Sequence, residues 1–200
     1  MMSVSVITYH LGMSRWEPNA RGRLEQAALE LFVERGFEQT TVAEIAQRAG
    51  LTERTFFRYF ADKREVLFAG AGVLQELLVR GVAQAPAAAA PLGAIAGALE
   101  AAAPLYAARG DYPRRRQAVI AANAELQERE LIKLARLAAA MAGALRARGV
   151  PEPAASLAAE AGIAVFRVAF ERWTAGDCLT DLAKLIRESL DELKAVTAGR

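Results

Sequence analysis

One cysteine and one histidine are all the chain offers to the commonest nucleophilic and metal chemistries. Cys178 has no second thiol to pair with, so no intrachain disulfide forms, which fits a reducing compartment. At that position it reads as a small packing residue. His10 stands alone near the N-terminus, so no histidine-based triad or metal cluster can be built around it. A glycine-rich phosphate loop is missing as well. The acidic pairs Glu128–Glu130 and Asp191–Glu192 read as helix surface. No enzyme, cofactor or metal site is expected.

Other scarcities bound the fold. Few segments alternate with period two, so sheet is not expected. No apolar run reaches the roughly 18–20 residues that a spanning helix needs. The opening MMSVSVITYHLGM lacks the charged start and small-residue cleavage site of a leader. A cytoplasmic protein without a membrane partner is expected, with residues 1–18 as a flexible arm and Met13 as the more typical opening. Nor does one sign of charge dominate: the formal net charge is +2. Between Arg15 and Arg64 nine cations meet eight acids, so total charge gives no argument for nucleic acid. Its distribution does, because from Arg54 to Arg64 four cations face one acid.

Alanine and leucine dominate what is there, in three-four periodic runs separated by glycine and proline. The sequence predicts an all-α fold of about nine helices. A first helix spans about Asn19–Arg35 and stops at Gly36. A long one starts near Lys63 and runs past Arg80. Pro86–Pro91 is a linker, and an alanine-rich helix over Leu92–Tyr106 is interrupted at Pro104. Arg109–Pro113 is a turn, and Arg114, Arg115 and Arg116 read as a solvated face or ion-pair partners. Ala124–Arg148 is a strong helix carrying Leu131, Leu134, Ala138, Met141 and Leu145. Two further helices cover about 153–175 and 181–196. The first is apolar on most sides, with Ala158, Ala159 and Gly162 small enough for a second helix to come close. An antiparallel pair meeting its symmetry mate as a four-helix bundle is the two-fold solution.

The most informative stretch is Thr41–Lys63, TVAEIAQRAGLTERTFFRYFADK. Thr41 and Glu44 form a capping box that opens one helix. Gly50 ends it, and Thr52 caps another. In the second helix Phe56 and Phe60 face inward together. Glu53, Arg54, Thr55, Phe57, Arg58 and Tyr59 point elsewhere, a mixture able to bond base edges and phosphates in a major groove. A helix–turn–helix presents residues in this way. The plainer reading is a solvated helix in an all-α bundle. Arg15, Trp16, Arg21 and Arg23 are candidate contacts to phosphate or the minor groove.

The run Gly36, Phe37, Thr40, Thr41, Val42, Ile45, Ala46, Ala49, Gly50, Leu51, Thr52, Thr55, Phe57, Tyr59, Phe60, Lys63, Leu67 resembles the signature of the tetracycline-repressor (TetR) family over about a quarter of the chain. The resemblance implies a flexible arm at 1–18, a helix–turn–helix DNA-binding domain at 19–66, and a ligand-binding and dimerisation domain at 67–200. It implies a homodimeric, ligand-responsive regulator, a repressor, joined through the last two helices. Its partner is a palindromic double-stranded operator, with recognition helices about 34–36 Å apart. Carried over residue by residue, Thr41, Tyr59 and Lys63 hold phosphates, and Arg21, read with the basic residues near the arm, is a further phosphate contact. Thr55 lies near the backbone or a thymine methyl, and Glu53, Arg54 and Phe57 face bases. Val42, Thr52 and Arg58 complete the DNA-facing set. Arg54 replaces a smaller residue, and Phe57 replaces a tyrosine and so offers no hydroxyl.

The same resemblance implies a cavity for a small apolar effector among the helices starting near Lys63, Ala124 and Pro153. Tyr106, Tyr112, Met141, Phe166, Phe170 and Trp173 are its candidate lining, with Arg167, Glu171 or Arg172 to orient a polar head. Simple core packing of these aromatics is an equal reading. The stretches WEPNARGRLEQAALELF and FRVAFERWTAGD look similar to a subgroup associated with acyl-coenzyme A-like effectors. Two rival functions stand beside the repressor: a ligand carrier with a vestigial helix–turn–helix, and a structural DNA-binding accessory.

Overall fold

The computed structural model describes residues 19–176 and 180–199. The expected arm, with His10, Met13, Arg15 and Trp16, and also Cys178, lie outside the described residues. Every described element is helical: α1 (Ala20–Arg35), α2 (Val42–Arg48), α3 (Glu53–Tyr59), a 3-10 turn (Glu65–Phe68), α4 (Ala71–Gln84), α5 (Pro91–Ala107), α6 (Tyr112–Ala121), α7 (Ala124–Ala147), α8 (Ala154–Ala175) and α9 (Leu182–Thr197).

Local chemistry sets the ends of the first three helices. The Asn19 side chain accepts from the Gly22 N–H at the start of α1. Gly36, at φ 88°, stops that helix and returns its N–H to the Phe32 carbonyl. Phe37 then packs back edge-on against Phe32, with ring centroids 5.1 Å apart. Thr41 and Glu44 make both halves of the capping box on α2, and Thr52 accepts from the Thr55 N–H to start α3. Gly50, at φ 66°, allows the chain to turn between them.

Two cores follow from two apolar clusters. One gathers Leu24, Leu31, Phe32, Phe37, Ile45, Phe56, Phe60 and Val66 around α1–α3. It also takes in Val119, Ile120 and Leu126 from α6 and the start of α7, which sequence periodicity alone does not reveal. The other joins α4, α5, α7, α8 and α9.

Several expectations need correction. No continuous helix runs from Lys63 past Arg80. Asp62 accepts the N–H groups of Arg64 and Glu65 and starts a short 3-10 turn, and α4 begins afresh after Gly70. The 20 residues Glu65–Gln84 do have the length and mean hydropathy (1.5) of a spanning helix, which the expectation of no such run missed. They form the 3-10 turn and α4, which pack into the two separate cores. Pro104 does not interrupt α5, which continues to Ala107. It lies in the last turn, where the missing N–H costs one backbone bond close to the helix end. Leu131 points outward, while Glu130, expected on the surface, lies largely buried. Gly162 makes its close approach inside the chain: a Cβ there would sit 2.2 Å from the Ile95 side chain of α5. The small face of α8 is therefore used by α5 and not left for a partner copy.

Candidate functional site

Phe56 is fully buried and Phe60 nearly so, which fixes how α3 is rotated about its axis. That rotation sends Glu53, Arg54, Phe57, Arg58 and Tyr59 outward, with Phe57 55 % and Tyr59 40 % exposed. Exposed aromatics of that size on a seven-residue helix run against the usual burial tendency. The Arg58 guanidinium lies 4.9 Å from the Tyr59 ring centroid and donates to the phenol oxygen at 3.3 Å. Thr52 and Thr55 engage each other's hydroxyls at 3.0 Å. Thr41 is spent on the capping box, where its backbone N–H and hydroxyl bond the Glu44 carboxylate and hold it below the usual range. Val42 is half-buried beside it.

Three basic residues beside this face are tied to backbone carbonyls. Lys63 Nζ donates to the carbonyls of Phe37 (2.8 Å), Glu38 (3.3 Å) and Thr40 (3.2 Å) and lies 4.4 Å from the Phe37 ring centroid. All three ammonium protons thus brace the α1–α2 turn. Arg21 donates to the Ala69 carbonyl and pairs with Glu25. Arg23 donates to the Ala49 carbonyl, beside the Gly50 turn. Their charges remain at the head, but their donors hold the backbone.

Behind the head lies a junction of charged ties. Glu65 takes two bonds from Arg129, at 2.7 and 3.0 Å, and Arg64 reaches Glu125. Arg109 bonds Glu25 at 2.8 Å and stacks on Tyr112 at 3.8 Å. Arg116 donates to the Leu67 carbonyl at 2.6 Å and to Glu130 at 2.7 Å. Of the triple arginine, this one is neither solvated nor available to a phosphate backbone.

A cavity of about 270 Å³ opens against this junction. Of the expected ligand residues, Tyr106, Tyr112 and Phe170 line it, together with Leu67, Phe68, Leu74, Arg116 and Lys133. Phe166 packs between Tyr106 and Phe170, with centroids 5.8 and 5.5 Å away, and faces a second, more open groove shared with Arg167 and Glu171. Arg172 pairs with Glu188 on the surface. Met141 and Trp173 are core: Met141 is fully buried, and Trp173 donates its Nε1–H to the Thr180 carbonyl at 2.9 Å.

Among the cavity residues that sequence reasoning missed, Arg109, Arg116 and Lys133 carry charge. Burial lowers Lys133 to about 8, with the Arg116 charge adding to the effect and Glu130 opposing it. Burial would raise Glu130, but Arg116 and then Lys133 more than reverse this and hold its carboxyl below the usual range. Burial also pushes the Tyr106 phenol well above its ordinary value. A signal was present: Glu130 and Lys133 fall on the stripe Leu126, Leu134, Leu137, Met141 that faces the core of α7.

Comparison with known proteins agrees with this architecture. Residues 25–69 match the family model described as bacterial regulatory proteins, tetR family, and residues 89–198 match that of the MftR C-terminal domain. The chain is 41 % identical over 81 residues to the HTH-type transcriptional regulator TcmR of Streptomyces glaucescens, covering 40 % of this chain and 36 % of that one. It is 43 % identical over 68 residues to the HTH-type transcriptional activator FasR of Mycolicibacterium smegmatis, covering 32 % and 30 %. The matched segments thus span about a third of these curated relatives. A solved transcriptional regulator from Pseudomonas aeruginosa PAO1 superposes with a TM-score of 0.63 over 96 % of this chain and 97 % of its own, at 18 % identity, a likeness of fold. These relatives are DNA-binding regulators, not enzymes. With its second domain model covering more than half its length, the chain belongs to the TetR family of bacterial transcription regulators and carries a C-terminal domain of the MftR type.

Proposed function

We propose that the chain is a cytoplasmic, homodimeric repressor that binds a palindromic double-stranded operator through α3 and leaves it when a small effector fills the cavity beside Tyr106. The observation that carries this is the rotation of α3. Its two inward phenylalanines anchor it, and Glu53, Arg54, Phe57, Arg58 and Tyr59 are left exposed among the described residues. The proposed division is a reading head at 19–66 and an effector and dimerisation domain at 67–200.

In this reading Arg54 and Glu53 meet base edges and Phe57 contacts a thymine methyl. Arg58, Tyr59, Thr41, Val42, Thr52 and Thr55 border the phosphates. Lys63 and Arg21 contribute charge near the backbone while bracing the head. The stripe of exposed Leu157, Ala164 and Val168 on α8, with half-buried Ala161 among them, is the apolar surface a second copy would cover, with Leu157 66 % exposed. The inward stripe of α9 is already used against α5 and α8, and its outer face is polar, so α8 contributes most of the interface.

The test is a mobility-shift titration of the full chain on DNA from upstream of its own gene, at two salt concentrations. Saturation at a single palindrome is expected, with affinity falling steeply as salt rises. The sign of regulation is read by transcription in vitro, where added protein should lower the transcript. A carrier protein would give no shift, and a structural accessory would coat the fragment without saturating at one site.

A further inference from the structure

The cavity beside the 3-10 turn holds charges for which an apolar effector has no use. Arg116, Glu130 and Lys133 have side chains only 12, 17 and 11 % exposed, two cations sharing one carboxylate. Arg116 has a second acceptor in the Leu67 carbonyl; Lys133 bonds Glu130. Burial of an unbalanced cation is unfavourable unless a counter-charge arrives. Across the same space the Tyr106 hydroxyl has no hydrogen-bond partner among the described residues. Arg109 also lines the wall, with Glu25 as its counter-charge, and the rest, Leu74, Tyr112 and Phe170 among it, is apolar or aromatic.

We propose that this cavity takes a small carboxylic acid with an apolar body, its carboxylate seated between Arg116 and Lys133 within reach of the Tyr106 hydroxyl. The proposal deepens the effector reading above and rests on it for its regulatory meaning. One carboxylate supplies the single negative charge that the trio lacks. A phosphate dianion would overshoot it, and an amine would add to the excess. An acyl-coenzyme A would place an uncharged thioester carbonyl against the cations. Its nucleotide would also lie outside a space of about 270 Å³. Because Arg116 also holds the Leu67 carbonyl, a ligand that draws its guanidinium inward weakens a tie between the cavity and the turn that follows α3.

Calorimetry on the full chain, without DNA, tests this with octanoate and phenylacetate as probes and octanol, octanamide and octanoyl-coenzyme A as controls. At neutral pH octanoate is expected to bind at least tenfold more tightly than octanol or the thioester. Lys133→Met, checked for an unchanged melting profile, is expected to erase most of that gap. In the unaltered chain, octanoate affinity should also fall as pH rises through about 8, where Lys133 loses its proton, while octanol affinity stays level. Arg116, Arg109, Arg129, Glu65, Glu130, Tyr106 and Tyr112 are the charged or titratable groups around it; Glu130 is held below the usual carboxylate range, Arg129 is raised by Glu65, and burial raises both phenols, so none of these four changes charge near pH 8. Equal binding of octanoate and octanol, tighter binding of the thioester, or no binding by any probe overturns the proposal. So does a folded Lys133→Met variant that keeps the preference. None of these outcomes touches operator binding. Octanoate binding that leaves the operator complex intact would instead sink the effector role and spare the site.

Discussion

Arg116 donates its Nε–H to the Leu67 carbonyl at 2.6 Å, joining the cavity wall to the turn behind the recognition helix. Its guanidinium lies 4.9 Å from the Phe68 ring centroid, and that of Arg129 lies 4.7 Å from the same ring while gripping Glu65. This turn is one of the fastenings between the head and α6 and α7, beside the Arg109–Glu25 bond and the packing of Val119, Ile120 and Leu126, so a displacement in the cavity has a physical route to α3.

The first prediction concerns that fastening. A double-mutant cycle of Glu65→Gln and Arg129→Gln should show a coupling of ~1 kcal/mol in thermal unfolding, because the pair is bidentate and partly buried. Additive effects would mean that the pair does not act as a tie.

Lys63→Met should lower stability by about 2 kcal/mol, since it removes three charge-assisted bonds to carbonyls of the α1–α2 turn. The melting temperature should fall by roughly 5 °C in a chain of this size. Operator affinity should drop alongside it. An unchanged melting temperature with a salt slope smaller by about one would show instead that the ammonium sits on a phosphate.

The reading head was legible because each boundary is a local event. Thr41 with Glu44, Gly50 and Thr52 each fix one helix end through a bond or a dihedral that neighbouring residues determine. What remained hidden depended on distant partners. The bracing contacts of Lys63 were not legible because its carbonyl acceptors lie more than twenty residues upstream. Of the solvated and ion-pair readings of Arg116 the second holds, but its partners Leu67 and Glu130 come from other elements and could not be named from the local sequence. Gly162 suggested a partner copy because periodicity does not say which helix approaches, and Ile95 does so from within the chain. Gly70 broke the expected long helix, although its neighbours keep the apolar step on both sides.

Two substitutions on α8 should therefore behave differently. Gly162→Val is expected to cost about 1–3 kcal/mol through overpacking against Ile95, with little effect on self-association at a matched folded fraction. Leu157→Glu, on the exposed stripe, should leave folding nearly unchanged and shift the chain from dimer to monomer in sedimentation. A fully dimeric Leu157→Glu variant would place the interface elsewhere.

Stability without ligand should rise with pH above about 8. Lys133 is lowered to about 8 in the folded chain, so between that pH and its ordinary value near 10.5 the unfolded state binds more protons. Burial raises Tyr106 and Tyr112, so ionisation of these phenols in the unfolded chain near pH 10 opposes the rise, and the slope is read over the interval from about 8 to about 9. Denaturant titrations across it should show the upward slope, and Lys133→Met should remove it. A flat profile in the unaltered chain would mean that Lys133 is better solvated than its burial implies.

The most direct test of the central claim is selection of bound duplexes from a random DNA pool by the purified full chain, run in parallel with its Arg54→Ala variant. A two-fold symmetric sequence should emerge, with half-sites one helical turn apart (about 34–36 Å), and the variant should relax preference at one base pair per half-site, by about 1–3 kcal/mol. Failure to enrich any symmetric sequence, or the same motif with undiminished preference from the variant, would contradict the assignment of α3 as the element that reads bases.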